Sequence, residues 1–515
     1  MSVRTDNKYL IAFTCMLGTL MEVVDTSVAN VSLPHMQGTF SAGVDEITWV
    51  ITSYLVANAV VLPITGWLAN YFGRRRFYLA CLAVFTLASL GSGAAPTLPF
   101  LVAMRIVQGL AGGAMVPMSQ AILLDSFPPA ERGKAMALFG VGVVFGPIIG
   151  PTLGGWITDN WGWRWVFYIN IPVGLLGILL GLMFIYDPEH LKRPEGRIDF
   201  LSFVFICVGL GSLEVVLNRG ERYDWFECGF ICVFAVAAAA GIALFVWRSL
   251  TAENPLVDLH VFRDRSFASG TVLMFLLGFG LFGSFTMLPL FVQSMLGYTA
   301  TWAGLVISPG GIASLFAMAF VANLIGKVDS RLLVLFGAVM NTAAIWLLRS
   351  VDLNVDFGYV MLSRLVQGFG LGFLFVPIGT AAFSHLPPQK LGQATGLFNL
   401  LRNEGGSVGI AVSATVLARH AQAHHARLGE HVTSWGLATQ GWLADARRGL
   451  SAVSGLDPES ARALSVGLLQ GTLTRQAVTK AYVDVFWMLT WAFVLFLPFI
   501  LMLSRGDGKA AGGGH

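Results

Sequence analysis

Long apolar stretches, separated by short charged or Gly/Pro-rich punctuation, fill most of the chain from Tyr9 to Ser504. A membrane-spanning helix needs about 20 predominantly apolar residues. On that measure the pattern predicts fourteen helices, at 9–33, 47–69, 77–95, 98–124, 134–157, 164–186, 200–217, 228–248, 267–292, 302–325, 331–349, 357–383, 393–418 and 482–504. The first stretch is too long for a signal-peptide core and runs straight on into further spans, so it reads as a retained membrane helix. The one sizeable polar segment is 419–482. Within it, 436–450 and 459–475 mix polar and apolar positions at helical spacing and predict two amphipathic helices.

Composition agrees with this pattern and narrows the function. The 515 residues are 55% hydrophobic and 12% charged, the balance of an integral membrane protein rather than a soluble enzyme. A net charge of +3 is too small to argue for a nucleic-acid partner. The basic residues sort by side instead. Arg4, Lys8, Arg74 to Arg76, Arg132, Lys134, Lys192, Arg193, Arg197, Arg248, Arg263, Arg265, Lys327, Arg331, Lys390, Arg505 and Lys509 all fall on one side, whereas 35–46, 95–97 and 293–301 hold no Lys or Arg. The positive-inside rule then places both termini in the cytoplasm, with Arg219 and Arg222 as exceptions on the outer side. Five cysteines, an odd number and mostly within or beside apolar segments, imply no disulfide framework.

The chain also repeats itself. Slid by 259 positions, Arg105, Gln108, Gly109, Gly113, Pro128, Pro129, Gly133 and Gly146 fall on Arg364, Gln367, Gly368, Gly372, Pro387, Pro388, Gly392 and Gly405. The shift carries the fourth helix onto the twelfth, so the copies run in the same direction. Two bundles of six with an inserted pair follow: 1–190, an insert at 191–255 (helices seven and eight), and 256–505 including the outer loop, then a flexible cytoplasmic tail at 506–515. Parallel repeats of this kind build a midplane site between halves in transporters.

The candidate chemistry is intramembrane charge. Met21 to Pro34, MEVVDTSVANVSLP, puts Glu22 and Asp25 at lipid depth, where each ionisable group costs roughly 2.5 to 3.5 kcal/mol and marks a functional path or a satisfied structural pair. Glu22, Thr26 and Asn30 share a stripe by i, i+4 spacing, with Asp25 beside it. Counting about 1.5 Å per residue, Asp25 and Arg105 lie about 24 and about 30 Å from their cytoplasmic ends, close enough in depth to meet; bonding of Arg105 to backbone carbonyls is the other reading. Glu404 is expected in the second bundle facing the cavity opposite Asp25. Glu214, on the insert, is expected near Arg219. His420, His424, His425 and His431 have metal-like spacing but no accompanying cysteine or close-set carboxylate pair, so no metal site is expected.

Several motifs resemble those of a known family. GWLANYFGRRR from Gly66 is similar to the loop signature of the major facilitator superfamily, LVAMRIVQGLAGGA from Leu101 to its fourth-helix signature, and GVGVVFGPIIGPTLGG from Gly140 to the fifth-helix signature of its antiporters. With MEVVDTSVANVSLP, WGWRWVFYINIPVG from Trp161, GYTATWAGL from Gly297 and LLRNEGGSVG from Leu400, the chain resembles the fourteen-helix drug:proton antiporters of EmrB type.

That resemblance implies an all-α polytopic fold of the facilitator type, 14 transmembrane helices as 6+2+6, working by alternating access in the cytoplasmic (inner) membrane. It implies a proton-driven exporter of amphipathic drugs; the residues themselves point to Asp25, Glu22, Arg105 and Glu404 for proton coupling. The expected substrate contacts are Glu22, Asn30, Gln108, Phe279, Phe282 and Glu404. Gating falls to Gly66, Asn70, Gly73, Arg74 and Arg75 in the loop, and to Gly142, Gly146, Pro147, Gly150, Pro151 and Gly154 on the fifth helix. Asn70 departs from the family, which usually has an acid there, and leaves a hydrogen-bonded latch as the weaker substitute. No cofactor beyond the proton is expected, and no phosphate-binding GxxxxGK[ST] loop occurs. The family also implies a periplasmic adaptor and an outer-membrane channel as partners, met through 419–482. A narrower exporter of a metabolite or siderophore, or a proton symporter, is the alternative.

Overall fold

The computed structural model describes residues 8–187, 199–252, 255–454 and 457–503. The expected tail at 506–515 and the basic residues Arg4, Lys192, Arg193, Arg197, Arg505 and Lys509 lie outside them.

Each apolar stretch becomes helix because a backbone in hydrocarbon must satisfy its own hydrogen bonds. In order these are α1 (Lys8–Phe40), α2 (Trp49–Val61), α3 (Thr65–Phe72), α4 (Arg74–Gly93), α5 (Leu98–Ser126), α6 (Arg132–Trp161), α7 (Asn170–Phe184), α8 (Phe200–Arg219), α9 (Gly229–Thr251), α10 (Arg265–Ser294), α11 (Ala300–Leu324), α12 (Ser330–Leu347), α13 (Phe357–Ala382), α14 (Leu391–Glu430), α15 (Leu437–Ser454) and α16 (Pro458–Val494). Side-chain caps start several of them: Asp199, Asp264 and Asp457 accept from the backbone N–H of Ser202, Phe267 and Ser460.

Two boundaries differ from the sequence reading. The span expected at 47–69 is broken, with a 63° bend between its two parts, where Pro63 cannot donate a backbone hydrogen bond. In the polar segment 419–482 the two expected helices form, as α15 and the first half of α16, but the segment is not set apart from the spans beside it. α14 continues unbroken to Glu430, and 459–475 forms the first half of α16, because nothing in the sequence stops the helix where its composition turns polar. By length and apolarity, twelve described helices could cross a membrane, or thirteen with the bent pair; α14, which carries Arg402 and Glu404, is not among them.

The helices pack as two bundles related by the sequence repeat. In the first, α1 lies against α6 and α5 against α2; in the second, α10 lies against α14 and α13 against α11. The insert, α8 with α9, sits beside α2 and α14. The bundles join along α6–α11 and α3–α14. At the end that carries Arg74 and Arg132, here called the basic end, they also meet through α5–α14 and α6–α13. There Arg132 donates to the Phe383 carbonyl at 3.2 Å, and Asn399 donates to Gln120 at 2.6 Å.

Candidate transport site

The face of α1 that carries the acids is set by glycine. A methyl group on Gly142, Gly146 or Gly154 would strike Thr19, Val23 or Val28 at 3.3, 2.5 and 2.7 Å, and one on Gly150 would strike Ser27. The bare face of α6 therefore lets α1 approach closely over three turns, as small-xxx-small faces do. α6 stays helical through positions 147 and 151.

Held this way, Asp25 is fully enclosed with Arg105 of α5. Arg105 Nη1 donates to Asp25 Oδ2 at 2.5 Å, and both side chains are 0% exposed. Asp25 Oδ1 accepts from Gln108 Nε2 at 2.9 Å and from Asn170 Nδ2 at 2.7 Å. Arg105 also donates to Gln108 Oε1 and to the Val50 carbonyl, so the ion-pair and the carbonyl-bonding readings both describe it. Its guanidinium lies 4.2 Å from the centre of the Tyr54 ring. A charge pair so deep is tolerable because both oxygens of the carboxylate accept, three hydrogen bonds in all.

Glu22 lies one turn along α1, towards the basic end. It accepts from the Tyr54 hydroxyl at 3.1 Å and from Asn58 Nδ2 at 3.0 Å. Tyr54 thus touches both centres, with its ring on Arg105 and its hydroxyl on Glu22. Across the bundle boundary, Arg402 acts electrostatically on Glu22, and Asn403 donates to Asn58 Oδ1 at 3.4 Å.

Gln108 serves the Asp25–Arg105 pair; both ends of its amide are used there rather than offered to substrate. Asn30 is exposed on α1, two turns from Glu22 towards the end opposite the basic one. Phe279 and Phe282 are half-buried where α10 crosses α14: the ring of Phe282 would meet a methyl group on Gly406 at 2.7 Å, and the Phe279 backbone lies against Gly409. They fill a helix crossing.

Glu404 departs from its expected place opposite Asp25. The charged group acting on it is Glu214 of the insert, because α14 turns this residue towards α8 while Arg402 and Asn403 face the first bundle. Glu404 is buried, and neither carboxyl oxygen has a hydrogen-bond partner among the described residues. Glu214 bonds to Ser407 and Asn218, not to Arg219, which reaches the Asp45 carbonyl and stacks over Trp49 instead.

At the basic end Asn70 makes no side-chain hydrogen bond among the described residues. Arg74, 1% exposed, is ion-paired with Asp125 of α5, and Arg75 bonds to Asp187 and the Leu182 carbonyl, all within the first bundle. Gly73, at φ +88°, makes the turn between α3 and α4. Gly66 is the residue that meets the second bundle: a methyl group there would lie 2.5 to 2.6 Å from the backbone of Gly392 and Gln393.

Sequence reading missed Tyr54, Ser89, Asp125 and Asn170. Ser89 Oγ accepts from Asn170 and Gln108 and donates to the Phe167 carbonyl. The available signal was a polar side chain in an apolar span, too common by itself to select a site. The histidines gain a neighbour as well, since Asp484 of α16 stands beside His420 and His424.

Two helical bundles related by a parallel repeat, packed about buried charge at mid-depth, define a polytopic membrane transporter. Residues 15–410 match the Major Facilitator Superfamily, and the chain belongs to that family. It is 34% identical to the multidrug export protein EmrB of Escherichia coli K12, over 97% of this chain and 96% of that one. It is 35% identical to the fatty acid resistance protein FarB of Neisseria gonorrhoeae, over the same shares. The human organic anion transporter MFSD10 has the same fold, with a TM-score of 0.62 at 14% identity over 94% of this chain and 99% of that one.

Proposed function

We propose that this protein exports amphipathic drugs from the cytoplasm by proton antiport through alternating access. The observation that carries the reading is the enclosed Asp25–Arg105 pair with Glu22 one turn away and Tyr54 between them. A proton arriving at Asp25 cancels the charge that holds Arg105. The guanidinium then holds Asp25 by a neutral hydrogen bond in place of an ion pair, beside its contacts with Gln108, the Val50 carbonyl and the Tyr54 ring, and α1 and α5 are freer to move. Arg402 lies close enough to Glu22 to couple this event to the second bundle.

The basic end is the cytoplasmic one by the positive-inside rule, with both termini on that side of the inner membrane. The contacts of Arg132, Gln120 and Gly66 with the second bundle close that end, which corresponds to the outward-facing stage of the cycle. Glu22 and Asn30 then line the path taken by a cationic or polar substrate group. One proton entering down about 100 mV supplies roughly 2.3 kcal/mol, enough to expel substrate without nucleotide. Glu404 with Glu214 is a second acid centre through which a further proton would pass. The extended ends of α14 and α16 with α15, where Trp435 and Leu437 are exposed, are the surface for a periplasmic adaptor leading to an outer-membrane channel, as the likeness to EmrB would have it.

Proteoliposomes loaded with drug and carrying the purified chain test the reading. Antiport requires proton movement opposite to drug movement. Drug and protons moving together would establish the symporter, and drug movement with no proton flux would refute coupling.

A further inference from the structure

His420 and His424 are one turn apart on α14, so both rings leave the same face of the helix. Asp484 of α16 meets them there. Asp484 Oδ2 lies 2.7 Å from His420 Nδ1 and 2.8 Å from His424 Nε2, and the three donor atoms fall within 4.8 Å of one another. We propose that His420, His424 and Asp484 form a binding site for a divalent transition metal of the zinc type.

Two imidazoles and one carboxylate are a donor set that suits zinc and its first-row neighbours, with water completing the shell. Ligand atoms about 2.0 to 2.2 Å from a zinc ion stand further apart than Asp484 Oδ2 does from either histidine nitrogen, so the carboxylate must back away from the imidazoles to admit the metal. The groups are free to move: the side chains of His420, His424 and Asp484 are 49%, 20% and 35% exposed. No third protein group within 4 Å competes for the histidines as an ion partner among the described residues.

Position gives the site a task. His420 lies two residues past the apolar part of α14, and Asp484 lies at the start of the apolar part of α16, so the cluster stands at the membrane border away from the basic end. α14, at 40 residues, is about 60 Å long, twice the roughly 30 Å of a bilayer core, and it projects outward with α16 to carry α15. A metal at this border ties the two projecting helices together where they leave the membrane. The ligand set was hidden in the sequence because the carboxylate lies 60 residues or more from the histidines.

The full chain, purified, stripped with EDTA and desalted, is to be titrated with Zn2+ against a chromophoric chelator. The expected result is about one zinc per chain beyond that retained by an H420A/H424A variant, with D484N weakening binding about tenfold or more and H425A leaving it unchanged. Equal zinc binding by the wild-type and double-variant proteins overturns the proposal and leaves a pair of His–Asp hydrogen bonds. Co2+ gives a second readout that does not depend on any variant folding. A visible band typical of four-coordinate cobalt with nitrogen and oxygen ligands is expected, and its absence from the wild-type protein also overturns the site.

Discussion

Arg105 and Arg364 hold corresponding places in the two halves of the chain, but Arg105 reaches Asp25 whereas Arg364 reaches Ser284. The partner lies 80 residues before the arginine in both halves. Arg364 donates from Nη2 to the Ser284 carbonyl at 2.6 Å, bonds to Gln367, and borders a small cavity with Val144, Leu281 and Phe285 between the bundles. The repeat thus preserves the arginine–glutamine frame and varies its acceptor. One half carries an acid that can accept a proton; the other carries a hydroxyl that cannot.

Truncation of the two arginines should separate them. Arg105→Met strands the Asp25 carboxylate in the interior and is expected to cost about 3–5 kcal/mol. Arg364→Met removes bonds to neutral groups only and is expected to cost about 1–3 kcal/mol. Thermal unfolding of the purified variants in one detergent measures the difference; equal losses would contradict the asymmetry.

Neutralising the acids should separate proton coupling from folding. Asp25→Asn keeps an acceptor for Arg105 and is expected to fold while abolishing pH-driven efflux. Glu22→Gln still accepts from Tyr54 and Asn58 and is expected to lower efflux of cationic drugs about tenfold, the scale of one lost charge-assisted bond. Efflux of a fluorescent cation from cells expressing each variant, at several external pH values, is the measurement.

Adding bulk to the glycine face of α6 should push α1 away. Gly146→Val meets Val23, which backs the acid-bearing turn, and overpacking of this kind costs about 1–3 kcal/mol. Transport should fall more than stability alone explains, because Asp25 and Arg105 lose register. Comparison of efflux with the amount of folded protein in the membrane decides this.

A large side chain at Gly66 should prop open the basic end. Gly66→Leu cannot be housed against the backbone of Gly392 and Gln393. A cysteine placed at Gln120, which the Asn399 contact buries, should become labelled several-fold faster by a membrane-permeant thiol reagent. Unchanged labelling would mean that the bundles do not close at this crossing.

One pH effect lies outside the membrane. Glu131 is held below the usual carboxylate range by its hydrogen bond from Lys8 and then by that from Lys134, and the same contact raises Lys8. A depressed acid stabilises the fold above its unfolded value of about 4.3, and that stability is lost as pH falls through the lower folded value. The raised lysine contributes fully below about 10.4, and its share is lost as pH rises through the higher folded value. A small melting-temperature gap between wild type and Glu131→Gln should therefore be present at pH 7 and shrink below about pH 4.

The hydrophobic pattern by itself determined that the chain is a polytopic helical membrane protein. The 259-residue repeat determined that its halves are parallel copies, and two acids at lipid depth marked a candidate site, because charge in hydrocarbon demands a partner. Helical periodicity also placed Glu22 and Asp25 on neighbouring lines of α1, and depth counting brought Arg105 level with Asp25. What only the tertiary structure decided was partnership across elements. Depth says nothing about rotation, so Glu404 could not be aimed at Glu214 rather than Asp25 until α14 was packed. Asn170 and Ser89 are ordinary polar residues until packing brings Asn170 to the Asp25 carboxylate and Ser89 to Asn170 and Gln108. Arg74 found Asp125, and His420 and His424 found Asp484, because ion pairs and metal ligands are fixed by proximity in space, and proximity between distant segments follows from packing that no local pattern encodes.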